Sequence, residues 1–170
     1  MTLQIRREGP GDVASVRAVH RAAFARQGAD PIEVALVDAL RADAGWLPHF
    51  SLVAAADGRL VGHVVATRAS VDGVPALGVG PLGVLPAFQG RRVGTALMYA
   101  LVGAALARDE TLVGLLGEPA FYGRFGFVAA TELGIRATNP AWVHYFQVLA
   151  LADPAPSGTF RYAEPIESLE

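Results

Sequence analysis

The chain has 170 residues, 52% hydrophobic and 18% charged, a length and balance that suit one domain with its own core and exclude a disordered or fibrous chain. The absence of cysteine excludes disulfides, thiolate metal sites, iron–sulfur clusters and cysteine nucleophiles. All 14 basic residues are arginine, against 16 acidic ones and a net charge of −2, so there is no lysine for a Schiff base and no basic block to follow a nucleic-acid backbone.

Thr2 to Arg7 reads as a short opening strand, ended by Gly9-Pro10-Gly11. Asp12 can cap the helix that follows, where Val13, Val16, His20 and Phe24 fall near a 3.6-residue period and leave Arg17 and Arg21 facing water. Asp30-Pro31-Ile32-Glu33 supplies an N-cap, a proline at the first helical position and an acid three residues after the cap, ahead of Val34, Val37 and Leu40. Ser51 to Ala56, Leu60 to Ser70 and about Pro75 to Leu85 read as strands joined by Asp57-Gly58 and Asp72-Gly73. Both pairs favour type I′ turns, so the three strands form an antiparallel meander. The uncharged run Val93 to Ala107 falls short of the roughly 20 residues a bilayer requires and is expected as a helix covered on most sides.

With Thr111 to Leu116 as the next strand, strand, helix and strand follow in order, which implies a parallel neighbour across a right-handed crossover. Glu118-Pro119 starts a short helix through Phe125. Phe127 to Ala130 and His144 to Leu151 are expected as final strands, and Ser157-Gly158 with Thr159 to Tyr162 as a last hairpin arm. No linker or repeat divides the chain, so residues 1–170 are expected to form a single domain. The N-terminus lacks an apolar export segment, which makes a cytoplasmic location the default, and neither a membrane nor a nucleic acid is an expected partner.

The stretch from Pro81 to Met98 carries the most chemistry: a strand ends, a glycine-bearing loop follows and an apolar helix begins. A helix start leaves backbone N–H groups unpaired and carries partial positive charge, so a diphosphate laid across Gln89 to Ala96 would satisfy those donors. Gly90 and Gly94 permit close approach, while Arg91 and Arg92 add full charge. Glycines here would also serve a plain turn before a buried helix. Gly78-Val-Gly80-Pro-Leu-Gly83 matches the dinucleotide fingerprint letter for letter, but it opens no helix and Pro81 removes an amide that a pyrophosphate would use.

Gln89-Gly-Arg-Arg-Val-Gly-Thr-Ala resembles motif A of the GNAT superfamily of acyl-CoA-dependent N-acetyltransferases, with Arg92 standing where that pattern has its first glycine. Gly117-Glu-Pro-Ala-Phe-Tyr-Gly-Arg-Phe-Gly-Phe is similar to motif B, and the closing Ser157-Gly-Thr-Phe-Arg-Tyr resembles the YhbS-like bacterial branch. The resemblance implies an α/β (α+β) fold: a mixed, mostly antiparallel sheet of six to seven strands, helices on both faces, and a cofactor cleft splayed open between the fourth and fifth strands. It implies acetyl-CoA as donor, its pantetheine arm on Leu82, Gly83 and Val84, and its diphosphate on Gln89, Gly90, Arg91, Arg92, Val93, Gly94 and Thr95.

In that family the tyrosine of motif B commonly protonates the departing thiolate, which maps to Tyr122. The same ring could simply pack beside Phe121 and Phe125. An oxyanion would meet a backbone N–H at Val84 or Gly83. Three groups are candidates for general base. Glu33 is otherwise explained by a capping box, His63 by hydrogen-bonded core, and Glu118 by its helix start, and a water chain could act instead. No G-x-S-x-G elbow occurs, and His20, His49, His63 and His144 lack metal spacing, so no metal is expected. Trp46, Trp142, Tyr145 and Phe146 could line a groove, though such aromatics more often fill core or a contact between two copies, which leaves a homodimer open. The expected reaction is acetyl transfer to an amine of a small molecule or peptide; the alternative is an acyl-CoA-binding module with little activity.

Overall fold

Both aspartate–glycine pairs adopt the positive φ values of type I′ turns, Asp57 at 50° with Gly58 at 86° and Asp72 at 45° with Gly73 at 82°. They connect β2 (Ser51–Ala56), β3 (Arg59–Val71) and β4 (Val74–Val84) into the antiparallel meander, and β1 (Leu3–Arg7) adds to the free edge of β2. The computed structural model describes residues 1–169. After β4 the chain crosses through α3 (Val93–Ala107) to β5 (Leu112–Leu116), which lies parallel to β4 as the strand–helix–strand order predicts. Beyond β5 lie β8 (Phe146–Ala150) and β6 (Val128–Ala129), both in antiparallel pairs.

Seven strands thus form a continuous path, and two short ones, β7 (Ile135–Ala137) and β9 (Gly158–Arg161), lie off it. The segment expected as a hairpin arm is β9, and it is not one. It pairs with β3 antiparallel and β7 parallel, because Phe160 buries its ring beside Phe146 in the core instead of following a local turn.

Alternation along β3 shows how the two faces are covered. Leu97 and Val93 of α3 close over Gly62, whereas the next residue, His63, meets His20 of α1 (Val13–Ala23) on the opposite face. On the α3 face Leu97, Met98 and Leu101 are fully buried with Val64 and Leu77. The other face holds Leu40 of α2 (Ile32–Ala42), Val71, Ile135, Phe160 and Ile166 of α5 (Glu164–Glu167). Each such side chain contributes roughly 1.5–3 kcal/mol of burial.

Three local expectations are corrected. Asp12 holds the N-cap position of α1 but its side chain does not cap the helix; it ends a preceding turn and its carboxylate accepts from Gly9 N–H at 2.7 Å and from the Arg6 guanidinium. The second helix starts at Ile32 with Pro31 as its N-cap, because Asp30 is drawn to Arg21 at 2.9 Å; no capping box forms. One stripe of α3 is open, with Tyr99 57% and Leu106 55% exposed, so this helix is covered on its sheet-facing side rather than on most sides. Among the described residues no helix is long and apolar enough to cross a membrane.

Candidate active site

β4 and β5 pair only from Leu77 to Val79, opposite Val113 to Leu115, and then diverge. Pro81 sits where the β3–β4 register shifts, and past it the far half of β4 keeps β3 on one side and an open edge on the other. Backbone groups alternate sides along a strand, which decides what that edge presents. Leu85 N–H donates to Val61 on the β3 side, and Gly83 C=O also lies on that side. Val84 therefore faces the opening. Its carbonyl accepts from Gln89 Nε2 at 3.1 Å, which leaves its N–H as the donor on the open side.

The opening continues as a cleft of about 610 Å³ whose wall includes Leu82, Val84, Gln89, Gly90 and the first turn of α3. Gly90 has φ 71° and Arg92, the N-cap of α3, has φ 66°. A side-chain-bearing residue held in this left-handed region costs on the order of 1 kcal/mol, and such strain concentrates at ligand sites. No side chain caps α3, so the first-turn amides at Val93, Gly94 and Thr95 remain free to bind an anion. Arg92 and Arg124 also border an adjoining hollow with Thr95, Tyr99 and Ala120, and neither arginine is ion-paired among the described residues.

Across the opening stands α4 (Pro119–Tyr122), begun by Glu118 and Pro119. A methyl group on Gly117 would overlap the Tyr122 ring, so this glycine gives the phenol its seat. Phe121 packs edge-on to that ring at 4.8 Å and Phe127 at 6.1 Å, and burial pushes the phenol pKa up to about 12. Tyr122, Leu82 and Phe24 line both this cleft and a second chamber of about 300 Å³ between the splayed strands and α2. In the second chamber Glu33 accepts from Arg26 through Oε1 at 3.2 Å, while its Oε2 is buried without a partner; the Tyr162 hydroxyl is buried and unpartnered as well.

Residues 18–127 match the family described as Acetyltransferase (GNAT) family. The chain belongs to the GNAT acetyltransferases. It is 34% identical to the protein named uncharacterized N-acetyltransferase YhbS of Escherichia coli (strain K12) over 91% of this chain and 90% of that protein. The crystal structure of Escherichia coli YhbS in complex with CoA superposes with a TM-score of 0.89, at 30% identity, over 99% of this chain and 93% of that one. A Brucella melitensis GNAT family acetyltransferase in complex with acetyl-CoA gives 0.80 at 33% identity, over 97% and 98%. The GNAT fold expected from the two motifs is the fold observed.

Within this GNAT site the predicted residues separate. Leu82, Gly83, Val84, Gln89, Gly90, Arg92, Val93, Gly94, Thr95, Glu118 and Tyr122 all border the cleft, and Glu33 borders the second chamber. Arg91 borders neither, because its guanidinium lies over the Phe88 ring at 5.1 Å. His63 also borders neither. With Glu8 accepting from Arg41, Ser51 donates to Glu8 at 2.6 Å, His63 Nε2–H donates to Ser51 at 2.9 Å, and His20 Nε2–H donates to His63 Nδ1 at 2.8 Å. His63 is hydrogen-bonded core.

This chain of donors ends at His20 Nδ1, buried and unpartnered over Gly83, where a Cβ would stand 2.7 Å away; the ring fills the space a side chain would need. Trp46, Trp142, Tyr145 and Phe146 border neither chamber. Arg124 and Tyr162 were missed. Arg124 lay inside the motif B stretch, where its charge was the available signal, but Tyr162 reaches the chamber only through the β9 pairing, which nothing local announces.

Proposed function

We propose that this GNAT enzyme moves an acetyl group from acetyl-CoA to an amine held in the second chamber, by direct attack on the thioester. One coincidence supports the reading most strongly: uncapped α3 amides, a bare Val84 N–H and the Tyr122 hydroxyl border one continuous opening. The CoA and acetyl-CoA bound to the two similar proteins favour the same donor. The amides from Val93 to Thr95 and the Arg92 charge suit a diphosphate, Arg92 and Arg124 suit a further phosphate of the nucleotide, and the open edge from Leu82 to Val84 suits an amide-bearing arm. Gln89 acts on Val84 rather than on a phosphate, since its side-chain amide is already engaged there.

In the reaction the amine nitrogen bonds to the carbonyl carbon, and the negative oxygen that results meets Val84 N–H. Collapse breaks the carbon–sulfur bond, and Tyr122 O–H supplies the thiolate with a proton. Glu33, whose side chain borders the second chamber, takes the proton the amine sheds. Glu118 is exposed at its helix start and less suited to this. The experiment is steady-state thiol release from acetyl-CoA with mass analysis of the amine. Amine-dependent release with an acetylated product is expected; an acetyl-CoA-stabilised protein that releases no thiol with any amine would instead be a binding module.

Gly94→Ala separates the diphosphate site from the fold. The added Cβ would meet Phe121 at 3.6 Å and Leu82 and Val84 at 3.8 Å, all ordinary contacts, and alanine favours a helix over glycine by about 1 kcal/mol. The melting temperature should therefore hold or rise while the KM for acetyl-CoA rises roughly tenfold, about 1.4 kcal/mol of lost binding. An unchanged KM would move the diphosphate elsewhere.

A further inference from the structure

The second chamber specifies what kind of amine fits it. About 300 Å³ corresponds to some ten water molecules of liquid volume, enough to enclose on the order of ten non-hydrogen atoms of an acceptor, so most of an oligosaccharide or a peptide would lie outside, past the exposed Ile32. Its walls are apolar: Ile32 and Leu36 from α2, Leu115 and Leu116 from the β5 side, and Ile166 and Leu169 from the C-terminal segment. Among the described lining residues there is no arginine or histidine, and Glu33 is the single carboxylate.

That inventory is selective. An ammonium group meets Glu33 and Tyr162 in the lining; Glu33 Oε2 and the Tyr162 hydroxyl are sealed and unpartnered, a state that costs about 1–3 kcal/mol per buried acceptor and that a small side-chain turn toward the amine relieves. A carboxylate or phosphate on the acceptor would find no cation among the described lining residues; the nearby cation, Arg26, lies outside the lining and is already paired with Glu33 Oε1 at 3.2 Å. The apolar walls reward a hydrocarbon body with about 25 cal/mol for each Å² removed from water. The chamber meets the donor cleft at Phe24, Leu82 and Tyr122, so a nitrogen at that junction reaches the thioester while its body stays on the α2 side.

We infer that the acceptor is a compact primary amine with an apolar body and no acidic group of its own. This rests on the acyl-transfer reading above. The ammonium loses one proton to Glu33, which passes it to water; the neutral nitrogen forms the new carbon–nitrogen bond and sheds its second proton by the same route, the carbon–sulfur bond breaks, and the thiolate takes the Tyr122 proton. Solvent then restores the phenol.

The test uses the full chain with acetyl-CoA and four acceptors: 2-phenylethylamine, phenylalanine, an aminoglycoside and a short peptide with a free N-terminus. The kcat/KM for 2-phenylethylamine should exceed that for phenylalanine, which adds only a carboxylate to the same body, by at least roughly tenfold. Ile32→Arg, at a rim position 54% exposed and so without consequence for the core, should raise the KM for 2-phenylethylamine roughly tenfold by placing a cation beside the ammonium. The rise in melting temperature with acetyl-CoA shows that each variant keeps its fold and donor cleft. Phenylalanine, the peptide or the aminoglycoside turned over as well as 2-phenylethylamine would overturn the inference and leave acyl transfer standing. Thiol release with none of the four would overturn both.

Discussion

Tyr122→Phe should lower kcat roughly 10²-fold while leaving the KM for acetyl-CoA nearly unchanged. The ring is seated by Gly117 and held edge-on by Phe121 and Phe127, contacts that phenylalanine keeps, so only the O–H is removed. Steady-state kinetics with saturating amine check this. Burial raises the Tyr122 pKa to about 12, so the phenol stays protonated throughout the working range and contributes no alkaline limb to kcat below about pH 10. A kcat within about threefold of the parent enzyme would remove Tyr122 from proton transfer and leave it a packing residue.

Acidification should destabilise the protein in a window set by the two buried histidines. Burial, then the nearby Arg41 charge, lowers the His20 pKa from 6.5 to about 4; burial, His20 and Arg41 lower that of His63 too. As pH falls below about 6.5 the unfolded chain takes up protons that the folded chain refuses, so stability is fully present above 6.5 and is lost progressively down to about 4. For His20 alone the loss is on the order of 3 kcal/mol. The groups facing the pair are Ser51 from β2, Glu8 from the segment after β1 and Arg41 from α2, so no carboxylate contacts His20 itself to hold a proton there. Asp12 titrates separately: Arg6 holds its pKa at about 2, so its contribution is lost between about 3.8 and 2, below the histidine window. Urea midpoints at pH 7.5, 5.5 and 4.5 measure the slope, and equal midpoints would show that the folded protein protonates both imidazoles as readily as the unfolded chain does.

Much of the fold was legible because it is encoded by short-range rules. Asp57-Gly58 and Asp72-Gly73 specify their turns whatever surrounds them, and the apolar run between Arg92 and Arg108 marks α3 to the residue. The wall of the cleft proposed for the diphosphate was legible as a structural feature for the same reason: glycines, a helix start and an arginine are contiguous in the chain. Illegible features depend on distant partners. β7 is three residues long and pairs with a strand more than twenty positions away, and Asp30 abandons its cap for Arg21 of the preceding helix. Glu33 changed meaning with it, from one half of a capping box to a carboxylate that borders a chamber and keeps one buried oxygen unpartnered.

Alone, the sequence determined the meander, the crossover helix, the glycine-bearing loop before it and the tyrosine that borders the same cleft, since each rests on residues close together in the chain. Tertiary structure decided which Val84 group faces the opening, that His20 and His63 are locked into core, and that Glu33, Tyr162 and Ile166 share one chamber. Such features come from packing segments far apart in sequence, where no local pattern records which polar atom is satisfied and which is left bare.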